Sequence, residues 1–305
     1  MDLDQITVVR DGRTAIFNGS WYRGPHTNFI PSKEDLRQAD ALDTYVMPGF
    51  APQAPFIDRQ TPITAFGSCF AANITHFLGE RGYAICGQGL DLNAHIIRFG
   101  EGIVNTFAIR QQFEWALTGR EFPQSLWISE GKEIARKDAE VRETTREIIQ
   151  GTDVFIITLG LAEIWYDRPS GEAFWRAVPA SLFDPERHGF RVSTVAENFD
   201  NLVATLDLIR AARPNAAVVL TLSPIPLMAT FRPVSCLTAN AVSKATLRVA
   251  LDQVMAQGRD NVFYFPSYEM VTGACFDPFE EDNRHPRAEV IAAIMACFER
   301  HYCKA

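Results

Sequence analysis

Two stretches constrain the fold of this chain more than any other feature. Val154-Phe155-Ile156-Ile157-Thr158-Leu159 and Ala217-Val218-Val219-Leu220-Thr221-Leu222 are continuous, largely apolar runs rich in β-branched residues. Turn formers end them, Gly160 in one case and Ser223-Pro224 in the other. Runs without polar alternation have to be covered on both faces, which is the environment of a central strand in a parallel sheet. Shorter apolar runs at 63–66, 83–86 and 262–265 bring the total to about five strands. Helical spacing fills the intervals. Phe70, Ile74, Phe77 and Leu78 recur at i, i+4, i+7 and i+8, and helices are expected over 107–117, 132–149, 195–213, 243–257 and 286–301. Strands alternating with helices imply an α/β fold, a three-layer α/β/α sandwich around a parallel, flavodoxin-like sheet. Residues 1–60, rich in Pro, Gly and aromatics, read as an N-terminal arm, and residues 61–305 as the main domain. Two long loops, 166–191 and 224–240, follow the C-terminal ends of strands, the edge where open α/β sheets hold ligands.

Composition narrows the function classes. The chain has 305 residues, 37 acidic against 29 basic, and a net charge of −8. That balance argues against a general nucleic-acid binder, which needs a basic surface. No apolar run reaches the roughly 20 residues of a membrane span. The N-terminal MDLDQITVVRDGRTAIF lacks the features of a signal peptide, so a cytoplasmic location is expected. The six cysteines, Cys69, Cys86, Cys236, Cys275, Cys297 and Cys303, form no CxxC pair and read as small core residues. The histidines form no HxH or HExxH spacing, so neither a metal nor a cofactor is expected.

Chemistry-bearing residues fall at the strand exits. Ser68 follows Gly67 at a strand-to-helix turn, where a helix N-terminus favours developing negative charge. It is read either as a nucleophile or as a helix cap. Cys69 beside it is a second candidate thiol, although neighbouring side chains diverge and Cys69 is expected to face the core. Asp282 and His285, three apart before the last helix, have the spacing for a carboxylate to orient an imidazole that takes a proton from serine. Gly160 permits close approach of substrate, and Glu163 beyond it is suited to positioning substrate or ordering the loop. Gly102 and Asn105 are candidate oxyanion donors, with helix capping as the competing role of Asn105. Trp165, Tyr166, Phe174 and Trp175 read as sugar-stacking residues or as packing within their loop.

Gly67-Ser68-Cys69-Phe70-Ala71 spells GSCFA, and the chain resembles the GSCFA domain family, itself similar to the SGNH/GDSL hydrolases. Thr158-Leu159-Gly160, Ser223-Pro224 with Asn240 and Ser243-Lys244, Tyr264-Phe265-Pro266-Ser267-Tyr268-Glu269, and Asp282-x-x-His285-Pro286 follow in the family's order. The resemblance covers about residues 50–300 and implies an SGNH-type fold with Ser68 as nucleophile, His285 as base and Asp282 as its orienter. It also implies oxyanion donors from the Ser68 N–H, a glycine N–H and an asparagine. The expected asparagine position is Ala162, with Asn105 as a replacement. The expected activity is hydrolysis of an acylated carbohydrate or related ester. A polysaccharide O-acyltransferase with the same triad and a non-catalytic carbohydrate-binding or assembly protein are the alternatives. The oligomeric state is not legible.

Overall fold

A computed structural model describes residues 5–10, 12–18, 26–67, 69–86, 104–122, 126–129, 132–134 and 139–304. The chain divides into two compact units, Met1–Gln38 and Ala39–Ala305. In the first, β1 (Gln5–Arg10) and β2 (Arg13–Asn18) form an antiparallel hairpin whose turn uses Gly12 at φ +77°, and Phe17 stacks on Phe29 at 4.2 Å.

The second unit is the α/β layer structure. Its elements run β3 (Ile63–Gly67), α1 (Cys69–Glu80), α2 (Thr106–Thr118), β4 (Trp127–Ser129), β5 (Lys132–Ile134), α3 (Ala139–Gly151), β6 (Val154–Leu159) and β7 (Glu163–Asp167). They continue with β8 (His188–Val192), α4 (Val195–Ala212), β9 (Ala217–Leu222), α5 (Cys236–Met255), β10 (Val262–Tyr264), the single turn α6 (Ser267–Glu269) and α7 (Ala288–Tyr302). Four parallel strands lie in the order β10-β9-β6-β3. The run at 83–86 adds a parallel bridge, Ile85 beside Ile63, at the β3 edge. Counting that bridge as the second strand gives the order 2-1-3-4-5 of a flavodoxin-like sheet.

Alternate residues of the central strands feed two separate cores. Phe155, Ile157, Val218 and Leu220 pack toward α2, α4 and α5, with Phe113, Leu206 and Leu247 among their partners. Val154, Ile156, Ala217 and Val219 pack on the other face with Phe70 and Ile74 of α1 and Ile294 and Phe298 of α7. Every residue of β6 and β9 is buried, as the continuous apolar runs require.

Three expectations are corrected locally. The helix expected over 132–149 begins only at Ala139. Ahead of it, β4 and β5 pair antiparallel, from Trp127↔Ile134 to Ser129↔Lys132, so Lys132–Ile134 is strand. Helix α5 starts at Cys236 instead of Ser243, because the Ser235 hydroxyl accepts the Leu237 N–H and caps it early. The 166–191 loop is largely structured, since β7 and β8 form an antiparallel ladder from Glu163↔Val192 to Asp167↔His188.

The exit of β3 is the tightest backbone contact near the strand edge. Gly67 has φ +117°, and a Cβ there would lie 1.9 Å from the Thr158 carbonyl oxygen. Gly67→Ala is therefore expected to cost about 3 kcal/mol or more of stability, read as a lowered urea midpoint with an unchanged slope. A midpoint equal to wild type would show that the turn relaxes freely.

Candidate functional site

The C-terminal edge of the sheet gathers the exits of β3, β6 and β9. Gly67 closes β3 opposite Thr158 of β6, and α1 begins at Cys69. Ser68 itself and the Cys69 side chain lie outside the described residues, as does Gly102. The chain on either side of Ser68 nonetheless shows the strand-to-helix junction that the sequence predicts.

Gly160 sits at the end of β6, at van der Waals distance from the 104–105 segment. Its N–H donates to the Val104 carbonyl at 2.8 Å, and a Cβ at this position would lie 2.7 Å from the Val104 Cβ. The glycine thus serves close backbone approach, and its N–H is already given to protein. Asn105, the next residue after Val104, caps α2, its Oδ1 accepting the Ala108 N–H at 2.8 Å. The residue is 6% exposed, and its Nδ2 makes no hydrogen bond to a described residue. Capping and donation are therefore compatible, because they use different atoms of one amide.

Ala162, where an asparagine was expected, is fully buried. Its N–H donates to the Ser243 hydroxyl at 2.7 Å, and its carbonyl accepts from the Ser193 N–H and hydroxyl, each at 2.8 Å. Glu163 is buried as well, and both its carboxylate oxygens accept from the Thr230 hydroxyl, at 2.8 and 3.0 Å. That contact ties β7 to the loop after β9, so the visible role of Glu163 is to order this loop.

Lys244 of α5 is 1% exposed, a placement sequence periodicity did not single out. Its ammonium donates to the carbonyls of Gly160 at 2.7 Å, Ser223 at 2.8 Å and Ile225 at 2.9 Å. Burial pushes its pKa down to about 7, against the pull of three carbonyl oxygens that favour the ammonium. Three acceptors need three N–H donors, which only the ammonium supplies. Ser243 and Lys244 therefore pin the exits of both central strands from one helix. The only sequence signal for them was their place in the family pattern.

Asp282 and His285 are brought together in the loop before α7. Imidazole Nδ1 lies 2.5 Å from Asp282 Oδ2, while Asp282 Oδ1 accepts the N–H groups of Arg284 and His285 at 2.9 and 3.0 Å. Those backbone and imidazole hydrogen bonds hold the Asp282 carboxyl down at about 2. The loop closes on itself through the Glu280 N–H to the His285 carbonyl, at 2.8 Å, and Asn283 adopts φ 54°, which asparagine tolerates. His285 is about half exposed, and its Nε2 makes no hydrogen bond to a described residue. Arg284 reaches the Pro226 carbonyl at 3.5 Å, next to the segment that Lys244 holds.

The aromatic residues of β7 and beyond divide between roles. Phe174 and Trp175 are buried, which answers for packing. Trp165 is partly buried against Phe183, Phe190 and Phe231, with ring centroids 5.0–5.8 Å apart. Phe231 and Phe183 remain 59% and 49% exposed, so this cluster lines the surface beside the strand exits.

Two features lie elsewhere. A cleft of about 760 Å³ opens at the N-terminal edge of the sheet, between Phe56, Phe263, Asp153, Asn215 and Asp260. It is separated from the strand exits by the length of a six-residue strand, roughly 20 Å. Asp43, Cys297 and His301 bring potential metal-ligand atoms within 4.8 Å of one another. Asp43 already pairs with His301 at 2.7 Å and Arg300 at 2.6 Å. Burial raises its pKa, and the His301 and Arg300 hydrogen bonds outweigh that and lower it. A cation entering this group would have to displace the guanidinium. No described helix is long and apolar enough to cross a membrane.

Solved structures align with the chain at low similarity. A putative platelet activating factor from Streptococcus pneumonia aligns at 10% identity and TM-score 0.42, covering 88% of this chain and 90% of its own. A GDSL-like lipase from Bacteroides thetaiotaomicron aligns at 12% identity and TM-score 0.40, with 78% and 86% covered. A carbohydrate esterase family 3 protein from Talaromyces cellulolyticus aligns at 10% identity and TM-score 0.37, with 78% and 93% covered. No curated protein sequence matches at a significant level. The family comparison is decisive where these are not: the GSCFA family matches residues 62–298, from the start of β3 into α7, and the chain belongs to the GSCFA family.

Proposed function

We propose that the protein is a serine-dependent acyl-ester hydrolase, with acylated carbohydrate or a related ester as substrate. The observation that carries this reading is the Asp282–His285 pair. The carboxylate holds Nδ1, which fixes the tautomer that leaves Nε2 as the proton acceptor. Ser68, at the β3–α1 junction, is the proposed nucleophile. Its Oγ forms a bond to the acyl carbon while its proton passes to His285 Nε2. The bond to the leaving alcohol then breaks, and the imidazolium returns the proton to that oxygen. Water attacks the acyl-Ser68 with His285 again as base, which releases the acid. The proposed oxyanion donors include the N–H of Ser68 and Nδ2 of Asn105, with Gly102 in the same segment.

Transfer of the acyl group to a sugar hydroxyl uses the same steps, with the hydroxyl in place of water. The exposed Phe183 and Phe231 rings and the Glu163–Thr230 contact support a substrate larger than a simple ester at this edge. The non-catalytic alternative leaves the short Asp282–His285 contact without a chemical purpose.

Ser68→Ala is expected to lower kcat by several orders of magnitude, up to about 10⁶, with the circular dichroism spectrum unchanged. Cys69→Ala should keep most activity. A folded, inactive Cys69→Ala protein beside an active Ser68→Ala one would assign the nucleophile to the thiol.

The depressed Asp282 carboxyl yields a pH prediction. The pairing it supports is fully present above the ordinary carboxylate range and is lost as pH falls through about 2. Carboxyl ¹³C titration should place the Asp282 midpoint near 2, and a midpoint near 4 would mean that the loop does not hold the pair in solution.

The choice between water and sugar is testable by following the acyl group by mass spectrometry, with and without a glycan acceptor. Release as free acid in both cases is the expected outcome for the hydrolase. Mass gain on the glycan would establish the transferase.

A further inference from the structure

The hydrogen bonds at the end of β6 distinguish two neighbouring backbone donors. The Gly160 N–H points into protein and is held by Val104 at 2.8 Å. The Gly160 carbonyl points at the buried Lys244 ammonium at 2.7 Å. The described peptides are trans, so the next N–H, that of Leu161, is directed opposite to that carbonyl and away from Lys244. Nothing among the described residues accepts the Leu161 N–H, and Leu161 is partly exposed.

The two other carbonyls bound by Lys244 differ in one respect. Ser223 and Ile225 both precede proline, Pro224 and Pro226, so their peptide groups carry no N–H. Of the three peptide groups that Lys244 touches, only Gly160–Leu161 passes the polarisation on to a hydrogen-bond donor. An ammonium on the oxygen side of a peptide group draws electron density from its nitrogen and strengthens the N–H as a donor. Burial of Lys244 keeps water from screening that effect.

We propose that the Leu161 N–H is an oxyanion donor of this site, with Lys244 as the residue that orients and polarises it through the Gly160 carbonyl. The inference rests on the acyl-ester reading with Ser68 as nucleophile. It assigns to the strand exit a donor other than the Gly160 N–H. It also gives a buried lysine a role that stability alone does not require.

The test removes the donor atom and keeps the side chain. Leu161 is replaced by its α-hydroxy acid, which turns the Gly160–Leu161 amide into an ester, and Lys244→Met is made in parallel. Both are compared with wild type in ester turnover, in labelling by a fluorophosphonate and in reversible binding of a trifluoromethyl ketone, which forms a tetrahedral oxyanion on serine. The ester variant is expected to lose about 10²–10³ in kcat, with KM within about two-fold and a parallel loss of ketone affinity. Lys244→Met should lower kcat and ketone affinity together, while affinity for the product alcohol stays unchanged. If the Lys244→Met protein does not fold, the backbone ester alone decides the question. A folded ester variant with wild-type kcat and ketone affinity overturns the proposal and leaves Ser68 as nucleophile intact. Wild-type protein that neither labels with the fluorophosphonate nor turns over any ester overturns the acyl-ester reading, and this inference with it.

Discussion

Burial of β6 and β9 on both faces is the constraint from which the rest of the structure follows. Twelve consecutive-run positions with no exposed face can be satisfied only by helices above and below the sheet. Helices α1 and α7 cover one side, and α2, α4 and α5 the other. With both faces closed, polar chemistry has room only where the strands end. The β3, β6 and β9 exits are therefore where the glycines, the junction around Ser68 and the loop-ordering contacts collect.

The proposed chemistry needs that edge to be rigid, since an oxyanion donor or base displaced by an ångström loses much of its effect. Here rigidity comes from side chains that satisfy main-chain groups. Lys244 binds three carbonyls, Ser243 accepts the Ala162 N–H, and the Thr106 hydroxyl donates to Asn198 Oδ1 at 2.7 Å between α2 and α4. A buried polar network of this kind costs desolvation, and it is retained only where each member finds its partner. The gain is that strand ends, which otherwise fray into loops, are held by a helix.

The Asp282–His285 loop is built differently. It is exposed and closed by local hydrogen bonds, with one carboxylate serving both as a turn-former and as the partner of the imidazole. The low carboxyl pKa follows from that double use. A short sequence can encode such a unit without help from distant residues, which is why a spacing of three residues was enough to predict it.

Much of the fold was legible in the sequence for the same reason. The runs at 154–159 and 217–222 are local patterns, as are the helical spacing of α4, the GSCFA turn and the Asp282/His285 spacing, and local patterns report local structure. The helix expected from Lys132 failed because Lys132–Ile134 pairs antiparallel with the strand Trp127–Ser129 just upstream, so pairing outweighed helical propensity. The candidate site was less legible. Nothing local distinguishes Lys244 from an exposed lysine on an amphipathic helix, and its role exists only because Gly160, Ser223 and Ile225 arrive at one point from distant parts of the chain. Likewise, Gly160 was expected to permit close approach of substrate, and the tertiary structure sets it against Val104, whose carbonyl takes its N–H. The sequence by itself determined which strands are central, where they end and which side chains can pair within a loop. Only the tertiary structure decided which backbone groups at those ends are held and which remain to donate, because hydrogen-bond partners far apart in the chain are set by packing.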